Sequence, residues 1–452
     1  LFRSLEMTMT RNPELEAISY EKETAEKERK AAYGLRLPKA SVTGAYIYMG
    51  DDMAIDMNDL KAPVGGVLEG LGNLPNIPPA ILQQASSLLA KDWSMKLQDR
   101  SFANVGANIT LPLYTGGKIN AANNAAKIKI EEVAEKGNQT RGSLVSELTE
   151  RYYGLVLALQ VVEVRRQVLE GMQHHLSDAK ALEANGIIAK GERLYAEVHT
   201  AEAERELLKA QKTVETLYSA LSNTLGGDES TYIPATSMFI LSDIENVSYF
   251  KDLAKQHSPL LKQVGYKKQL ATENMRLQRA DFAPQVALTG MAAFYNYQVS
   301  PIIPKWAVGA GVSLKIFDGL NREYKFSAAK SQIRQVEAVG HQAESDILTL
   351  IDKLYNEMVT YSQQLPSVNA SGRFAEEYLR IKEEAFKEGA APSSDVVDAR
   401  LNLAKIRIER LQAAYYYDMI LARLLEACGQ SELFPDYGKR AAAMPIRYEH
   451  DF

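Results

Sequence analysis

The sequence predicts a mainly α-helical protein that is internally duplicated and contributes β-strands to a barrel in a membrane. Three observations support this fold class. The chain aligns with itself over most of its length, each copy contains a helical stretch of about 65 residues, and each copy contains two alternating segments of about ten residues. About ten residues is the length that a tilted strand needs to cross a bilayer.

The duplication is visible as two constant offsets between matching segments. At an offset of 246 positions NPELEAISYEKETA (12–25) matches SPLLKQVGYKKQLA (258–271), and at an offset of 203 positions VGANITLPLYTGG (105–117) matches VGAGVSLKIFDGL (308–320). Fixed offsets of this kind are the signature of a repeat. We therefore expect two structural repeats, 1–225 and 247–428, joined by a linker at 226–246 and followed by a tail at 429–452.

The first copy carries an insertion, because the offset falls from 246 to 203 between Gly44 and Gly106. This difference of 43 residues maps to the segment 50–101, which is rich in glycine and proline. Such residues interrupt regular structure, so we expect a decorated surface loop with a short helix from about Ala80 to Lys96. A dedicated lid is the alternative.

Apolar and polar residues alternate in the four segments that we predict to be strands. These segments are 40–49 and 105–114 in the first copy, and 286–295 and 307–317 in the second. The apolar face, which we expect to contact lipid, comprises Val105, Ala107, Ile109, Leu111, Leu113, Val308, Ala310, Val312, Leu314 and Ile316. A soluble half-buried sheet shows the same alternation, but two isolated hairpins would leave exposed strand edges. Because a membrane barrel needs at least about eight strands, we expect several copies to complete one barrel.

Helical stretches of matched length surround each pair of strands. The long stretches are 120–185 and 323–388, the return stretches are 192–225 and 395–428, and the leading stretches are 12–36 and 247–280. A helix of about 65 residues is close to 100 Å long, and two shorter helices placed end to end would match it. Each copy therefore predicts one long column and one composite column, with apolar residues at the spacing of a coiled coil.

The composition and the motifs exclude several functional classes. The net charge is −5, with no Lys or Arg run of the kind that binds nucleic acid. Cys428 is the only cysteine, so no disulfide or CxxC site exists, and its alignment with Leu225 predicts core packing. His174 and His175 are adjacent and do not share a helix face, so we expect solvated side chains rather than a metal pair. Without a nucleophile elbow, Walker loop or GxGxxG after a strand, we expect no enzyme, no catalytic residue, no cofactor and no structural metal.

Membrane signals in the sequence are limited. No apolar run reaches the roughly 18–20 residues of a transmembrane helix. The chain begins at Leu1 rather than at Met, so we expect that a signal peptide has been removed.

Short motifs at matching places in the two copies complete the pattern. They are NPEL near the start, Pro38 and Pro284 before the strands, TLPLYTGGK and SLKIFDGLNR after them, and the helix breaks ANGIIAKGE and EGAAPSSDVVDAR. In their order and spacing these motifs resemble the TolC family of outer-membrane efflux and secretion channels, over essentially the whole chain.

The resemblance implies a homotrimer in which four strands from each subunit complete a twelve-stranded barrel in the lipid of the outer membrane. The long helical hairpins would form an α-barrel tunnel across the periplasm, with the linker and the tail as an equatorial layer. Such a channel-tunnel is the exit duct of a tripartite efflux or type I secretion system. It moves small molecules or proteins that arrive from an inner-membrane pump through a periplasmic adaptor, the membrane fusion protein. A soluble coiled-coil scaffold is the alternative function.

The resemblance also assigns roles to the two helix breaks, which we call the tip turns and expect at 185–193 and 388–395. They would lie at the periplasmic tip, where the adaptor docks on Gly186, Ile187, Ile188, Gly389, Ala390 and Ala391. Family members line the narrowest constriction with an aspartate pair, which Asp395 and Asp398 match, and Glu192 stands at the acidic position of the first copy. These carboxylates imply a gate that prefers cations and is blocked by them.

Two departures from the family pattern concern the latches that hold the tip closed. A basic residue and a tyrosine of the family are replaced by Ala391 and Phe386, so Glu192 would lack its usual partners. The acidic residues also have a local interpretation, in which Ser394 caps the return helix and Asp395 lies near its positive dipole.

Overall fold

The structure, a computed structural model, describes residues 1–72, 78–227 and 233–448. It divides into two compact units. The helical unit comprises Leu1–Arg29, Ala125–Thr272 and Lys330–Phe452, and the strand unit comprises Lys30–Asn124 and Glu273–Ala329. Within the described ranges, no helix combines the length and the apolar character needed to cross a membrane.

Most helices of the described residues recur in both copies. They are α1 Phe2–Arg11, α2 Pro13–Gly34, α3 Lys61–Gly72, α4 Pro79–Leu89, α5 Lys118–Ala184, α6 Lys190–Thr224, α7 Val247–His257, α8 Pro259–Ala280, α9 Asn321–Lys387, α10 Ser393–Ala427 and α11 Phe434–Tyr437. The long helices α5 and α9 each contain 67 residues, and the return helices α6 and α10 each contain 35. Each bound of α9 and α10 lies 203 positions after the matching bound of α5 and α6, so the duplicated sequence folds in the same way twice.

Proline breaks the leading stretch of the second copy, which corrects the prediction of one helix over 247–280, whereas the stretch predicted at 12–36 is the single helix α2. Pro259 separates α7 from α8, and Pro13 separates α2 from α1, a helix missing from the prediction. The residues before these prolines, Asn12 and Ser258, have extended ψ angles of 125° and 119°. The cause is steric, because a proline ring excludes the helical conformation from the residue before it.

The return helices end against these proline breaks in both copies. Gly429, just after α10, has φ +70°, and a Cβ there would lie 2.4 Å from the carbonyl oxygen of His257. Gly226, just after α6, has φ +100°, and a Cβ there would lie 3.2 Å from the Cβ of Arg11. Glycine suits both positions because it adopts positive φ freely and leaves room for the neighbouring helix end. Each return helix therefore ends where two leading helices meet.

The strands form three small antiparallel sheets within the described residues. They are β1 Lys39–Tyr48, β2 Met53–Asp56, β3 Ser94–Gln98, β4 Ser101–Tyr114, β5 Met238–Leu241, β6 Gln285–Tyr297, β7 Trp306–Ser313 and β8 Ala443–Ile446. The largest sheet, in the strand unit, has the order β1-β4-β6-β7. The prediction that the last strand reaches 317 is wrong, because Ser313 pairs with Gln285, the first residue of β6. Pro284 precedes it and has no N–H with which to continue the ladder.

The described residues of the insertion form strands and helices, which corrects the prediction of a surface loop with one short helix. β2 pairs with β3, and α3 and α4 lie between them along the chain. Hydrogen bonds close the base of this segment: Asn58 Nδ2 donates to Asp92 Oδ1 at 2.7 Å, and the Trp93 N–H donates to Asn58 Oδ1 at 3.0 Å. The predicted helix ends at Leu89 rather than near Lys96, and Ser94–Gln98 form β3 instead. The sequence pattern missed these elements because the contacts join residues more than thirty positions apart.

The linker and the tail meet as a two-stranded sheet inside the helical unit. β5 pairs antiparallel with β8. Phe239 of β5 packs against Tyr417 of α10 and Phe434 of α11, with ring centroids 6.5 and 6.0 Å apart. Residues 228–232 of the predicted linker and 449–452 of the predicted tail lie outside the described residues.

Asp418 and Cys428 are among the titratable side chains that are buried in this core. Asp418 Oδ2 accepts a hydrogen bond from the Phe239 N–H at 3.1 Å, and burial raises the pKa of the Asp418 carboxyl well above its usual range. The Sγ of Cys428 lies 3.3 Å from the Phe250 carbonyl oxygen, and the side chain is fully buried. The prediction that Cys428 is a core residue is confirmed.

Candidate functional site

The four-stranded sheet has one apolar face. Residues paired across antiparallel strands point to the same side, so the register defines that face directly. It carries Val42, Tyr46 and Tyr48 of β1, Val105, Ala107, Ile109 and Leu111 of β4, Val286, Leu288, Ala292, Tyr295 and Tyr297 of β6, and Trp306, Val308, Ala310 and Val312 of β7. Most of the predicted lipid-facing residues are therefore brought together on one surface.

Three of the predicted lipid-facing residues are placed differently. Leu113 falls at a shift of register between Pro112 and Tyr114 and has no paired residue in β6. Leu314 and Ile316 lie beyond the end of β7. The alternation in the sequence continues past the last strand pair, so it could not show where pairing stops.

Aromatic side chains collect at the end of the apolar face nearest the insertion. They are Tyr46, Tyr48, Tyr295, Tyr297 and Trp306, and all are exposed. Membrane strands carry such aromatic belts where the hydrocarbon meets the headgroups. Tyr114 provides an exposed aromatic residue at the other end of the sheet. Tyrosine at alternate positions in YIY and YNY was the signal in the sequence that could have identified the belt.

The opposite face of the sheet is more polar. Asn104 Nδ2 donates to Asn296 Oδ1 at 2.6 Å, and Asn108 Nδ2 donates to Thr43 Oγ1 at 3.1 Å. A sheet with one apolar face and one face of hydrogen-bonded amides suits a wall between lipid and water.

The tip turns are shorter than predicted and have the same geometry in both copies. They comprise residues 185–189 and 388–392, between the ends of the long helices and the starts of the return helices. Gly186 has φ +70° and Gly389 has φ +72°, and each closes a Schellman motif in which the next N–H bonds back five residues. Only glycine adopts this conformation without strain, which explains the glycine in both breaks.

The two tip turns touch each other and present small or apolar residues. The Cγ2 of Ile187 lies 2.9 Å from the position of a Cβ on Gly389. Ile187 is 55% exposed, and Ala390 is also exposed. Ile188 is half-buried and packs on a small core between the helix ends, and Ala391 is half-buried.

Ser393 forms a buried junction between three helices. Its backbone N–H donates to Glu192 Oε2 at 2.6 Å, and its Oγ lies 2.6 Å from His175 Nε2. The start of α10 is thereby bound to the start of α6 and to the C-terminal part of α5. Glu192, which we expect to lack its usual latch partners, is thus bound to the backbone N–H of Ser393. Ser394 does not cap α10, because the helix begins at Ser393 and Glu192 occupies its N-terminus.

His175 is buried, so the prediction of a solvated side chain is wrong for this residue, while His174 is exposed. The ring of His175 packs on Phe386 with centroids 4.4 Å apart. Burial, and then the nearby Arg400 guanidinium, lower the pKa of His175 to about 4. The position was detectable, because His175 continues a helical seam of buried residues, which are Val168, Met172 and Ala179.

Acidification is expected to weaken this Ser393 junction. The ordinary pKa of histidine is about 6.5, so below that pH the unfolded chain binds a proton that the folded chain excludes. The free energy of unfolding should therefore fall as the pH drops from about 6.5 to about 4. The groups that face the ring are Arg400, which opposes protonation, and Asp178 and Glu192, which favour it.

The measurement is the melting temperature of the wild type and of His175→Gln between pH 7.5 and pH 5. Wild type should lose more melting temperature on acidification than the variant, whose side chain does not titrate. If the melting temperatures of the two proteins fell equally with pH, His175 would not be the group that makes the junction sensitive to acid.

The predicted gate aspartates have different environments. Asp395 Oδ2 forms an ion pair with Lys382 Nζ at 2.6 Å, and this contact raises the pKa of Lys382. Asp398 is exposed and makes no ion pair with any described residue. It lies near Tyr195, whose pKa is raised by burial and then by the charge of Asp398. The Asp395 carboxylate is thus paired with a lysine, whereas the Asp398 carboxylate, unpaired among the described residues, is free to bind a cation.

The chain matches a protein family and a curated relative. The family described as outer membrane efflux protein matches residues 5–227 and 251–430. Protein CyaE of Bordetella pertussis is 24% identical over 286 residues, which are 61% of this chain and 59% of that protein. The chain thus spans about three fifths of the length of this curated relative.

Several solved structures share the fold. VceC from Vibrio cholerae aligns over 94% of this chain and 95% of its own, with a TM-score of 0.72 and 16% identity. A membrane protein from Pseudomonas aeruginosa aligns over 94% and 89%, with a TM-score of 0.73 and 17% identity. The outer membrane channel CmeC from Campylobacter jejuni aligns over 97% and 88%, with a TM-score of 0.69 and 16% identity. At these identities the likeness establishes the fold.

Proposed function

The chain belongs to the outer membrane efflux protein family, and from this membership we propose that it is the trimeric exit duct of a tripartite efflux or type I secretion system. In this proposal it receives small molecules or proteins from an inner-membrane pump and a periplasmic adaptor, and it releases them outside the cell. It needs no catalytic residue and no cofactor for this role.

The membership confirms the resemblance, the fold class and the location that the sequence predicts. The family consists of outer membrane efflux and secretion channels and is not an enzyme family. The protein is accordingly an outer membrane channel that extends into the periplasm as a helical tunnel.

The observation that carries the trimer is the open four-stranded sheet. Within the described residues, β1 and β7 each pair with one strand only. The Ala293 N–H donates to the Lys305 carbonyl at 2.7 Å, so the odd-numbered residues of β7 are the ones that exchange hydrogen bonds with β6. The even-numbered residues Val308 and Ala310 therefore point their N–H groups away from β6, at the free edge of the sheet. In lipid each unpaired backbone group costs several kcal/mol, so β7 of one copy would pair with β1 of the next.

Three copies would close the sheet at twelve strands, with the apolar face toward lipid and the polar face toward water. A soluble coiled-coil scaffold accounts for the helices but leaves the exposed apolar face and its aromatic belt without a purpose. The exposed residues of that face therefore favour the membrane channel.

The periplasmic end supplies the docking surface and the gate in this proposal. The exposed Ile187 and Ala390 would contact the adaptor, together with the remaining tip-turn residues Gly186, Ile188, Gly389 and Ala391. Asp395 and Asp398 would line the constriction and accept blocking cations. Glu192 would act through its bond to Ser393, which holds the two return helices together in place of the usual latches.

Trimer assembly is tested at the edge of β7. The purified protein should run as a trimer in SDS before heating and conduct ions in planar bilayers. Ala310→Pro removes an outward N–H without touching the β6 ladder, so it should lower the temperature at which the trimer dissociates. Ala310→Val keeps the N–H and is the matched control. A folded monodisperse monomer in mild detergent would defeat the proposal, and a water-soluble oligomer would favour the scaffold.

A further inference from the structure

The insertion of the first copy exposes an unusual number of large apolar side chains. They are Met53, Ile55, Leu60, Val64, Val67, Leu71, Ile81, Leu88 and Met95, and each is more than one third exposed. Charged residues are sparse in its two helices, since α3 contains only Lys61 and Glu69 and α4 contains none. A segment that faced water on all sides would not be expected to carry such a surface.

The exposed apolar residues form a stripe on one side of α3. Val64, Val67 and Leu71 recur at spacings of three and four, so they share one side of the helix, and Leu60 is an exposed apolar residue directly before it. A different side packs on α4, where the Cβ position of Gly65 lies 3.9 Å from Leu89 Cδ1. The stripe is therefore left outside the contact between the two helices.

The insertion is attached at the aromatic end of the apolar sheet face. It begins directly after Tyr48 and returns at Ser101, and these two residues are paired. Gln98 holds its base to the β6–β7 loop, because Gln98 Nε2 donates to the Gln298 carbonyl at 2.6 Å and Gln98 Oε1 accepts from the Ser300 N–H at 2.7 Å. The segment that carries the exposed stripe is therefore attached at the end of the apolar sheet face that carries the aromatic belt.

We propose that the insertion is an interfacial membrane anchor, whose α3 stripe lies among the acyl chains at the surface of the outer leaflet beside the barrel wall. The inference rests on the proposed function, because it takes the apolar sheet face as the lipid-facing one. An amphipathic helix binds a lipid surface by burying its apolar side at the boundary of headgroups and acyl chains. Glu69 and Ala62 lie on the side of α3 opposite the stripe, where water and headgroups would be.

The composition favours lipid over a second copy of the insertion as the partner. If the insertions of neighbouring copies met above the pore, they would lie over the polar face of the sheet, which carries Asn104 and Asn108 and would line the pore. The stripe instead continues the character of the apolar face. It contains only aliphatic side chains, which suits acyl chains.

The test is the accessibility of a nitroxide spin label in vesicles of phosphatidylethanolamine and phosphatidylglycerol. The native Cys428 can stay, because it is buried and burial raises the pKa of its thiol to about 12. Labels are placed at Val67→Cys on the stripe, at Ala62→Cys on the opposite side of α3, and at Val308→Cys on the apolar sheet face. Collisions with oxygen report lipid, and collisions with a water-soluble nickel complex report water.

The label at position 67 should collide with oxygen and be shielded from nickel, whereas the label at position 62 should collide with nickel. Nickel access at position 67 would overturn the anchor, and so would spin–spin broadening there, which would show copies meeting one another. The label at position 308 separates the two proposals. If it is in water, the proposed barrel fails; if it is in lipid while position 67 is not, only the anchor fails.

Discussion

Ile187→Asp and Ala390→Asp together should abolish export while the trimer and its membrane insertion remain intact. Both residues are exposed at the tip turns, and neither belongs to the core beneath them. If an adaptor covers this surface, each carboxylate would be buried without a partner, at a cost of several kcal/mol. A loss of about 2.7 kcal/mol already weakens binding about a hundredfold, and a trimer would present six such charges.

The measurement is complementation of a strain that lacks this protein, scored by its resistance to a panel of toxic compounds and metal salts and by its secreted proteins. Heat-sensitive trimer on gels and conductance in bilayers report folding independently. Ile187→Val and Ala390→Ser are matched controls, because they preserve the contact with Gly389 and the small size of the turn. Export that survives the charged variants would place docking elsewhere on the protein.

Asp398→Asn should weaken block of the channel by divalent cations at least about tenfold, and Lys382→Met should strengthen it. In a trimer three exposed Asp398 carboxylates would line the proposed constriction. Two unit charges about 6 Å apart interact by roughly 3 kcal/mol at an effective dielectric near 20, so removing this ring removes a large part of the attraction for a cation. Asp395 is neutralised in part by Lys382, and the methionine variant would release its carboxylate.

Block is measured in planar bilayers with a divalent cation added on the periplasmic side, and cation-to-anion selectivity is measured in the same membranes. The opposite directions of the two variants make the experiment specific for the pairing seen in the structure. Equal block in all three proteins would leave Asp398 as a solvated residue and Asp395 as a helix-end residue only.

Much of the fold could be predicted because it depends on patterns that are local or repeated. The duplication is visible as a constant offset of 203 positions. The alternation in VGANITLPL and VGAGVSLKI and the glycines of the tip turns are patterns among neighbouring residues. The elements of the insertion were not predicted because they depend on contacts that are neither local nor repeated. Its glycines suggested a loop, and the bonds from Asn58 to Asp92 and Trp93 that order it cross more than thirty positions.

The sequence alone was enough for the duplication, the lengths of the long and return helices, most of the apolar face of the strands and the family. These properties follow from the periodicity of side chains, which helical and extended backbones impose on any chain. Contacts between helices, by contrast, decide which tip carboxylate is available and which side chains meet in the buried Ser393 junction. Asp395 meets Lys382 across a turn, and Ser393 meets His175 over 218 positions, and such partners are chosen by packing between helices rather than by local pattern.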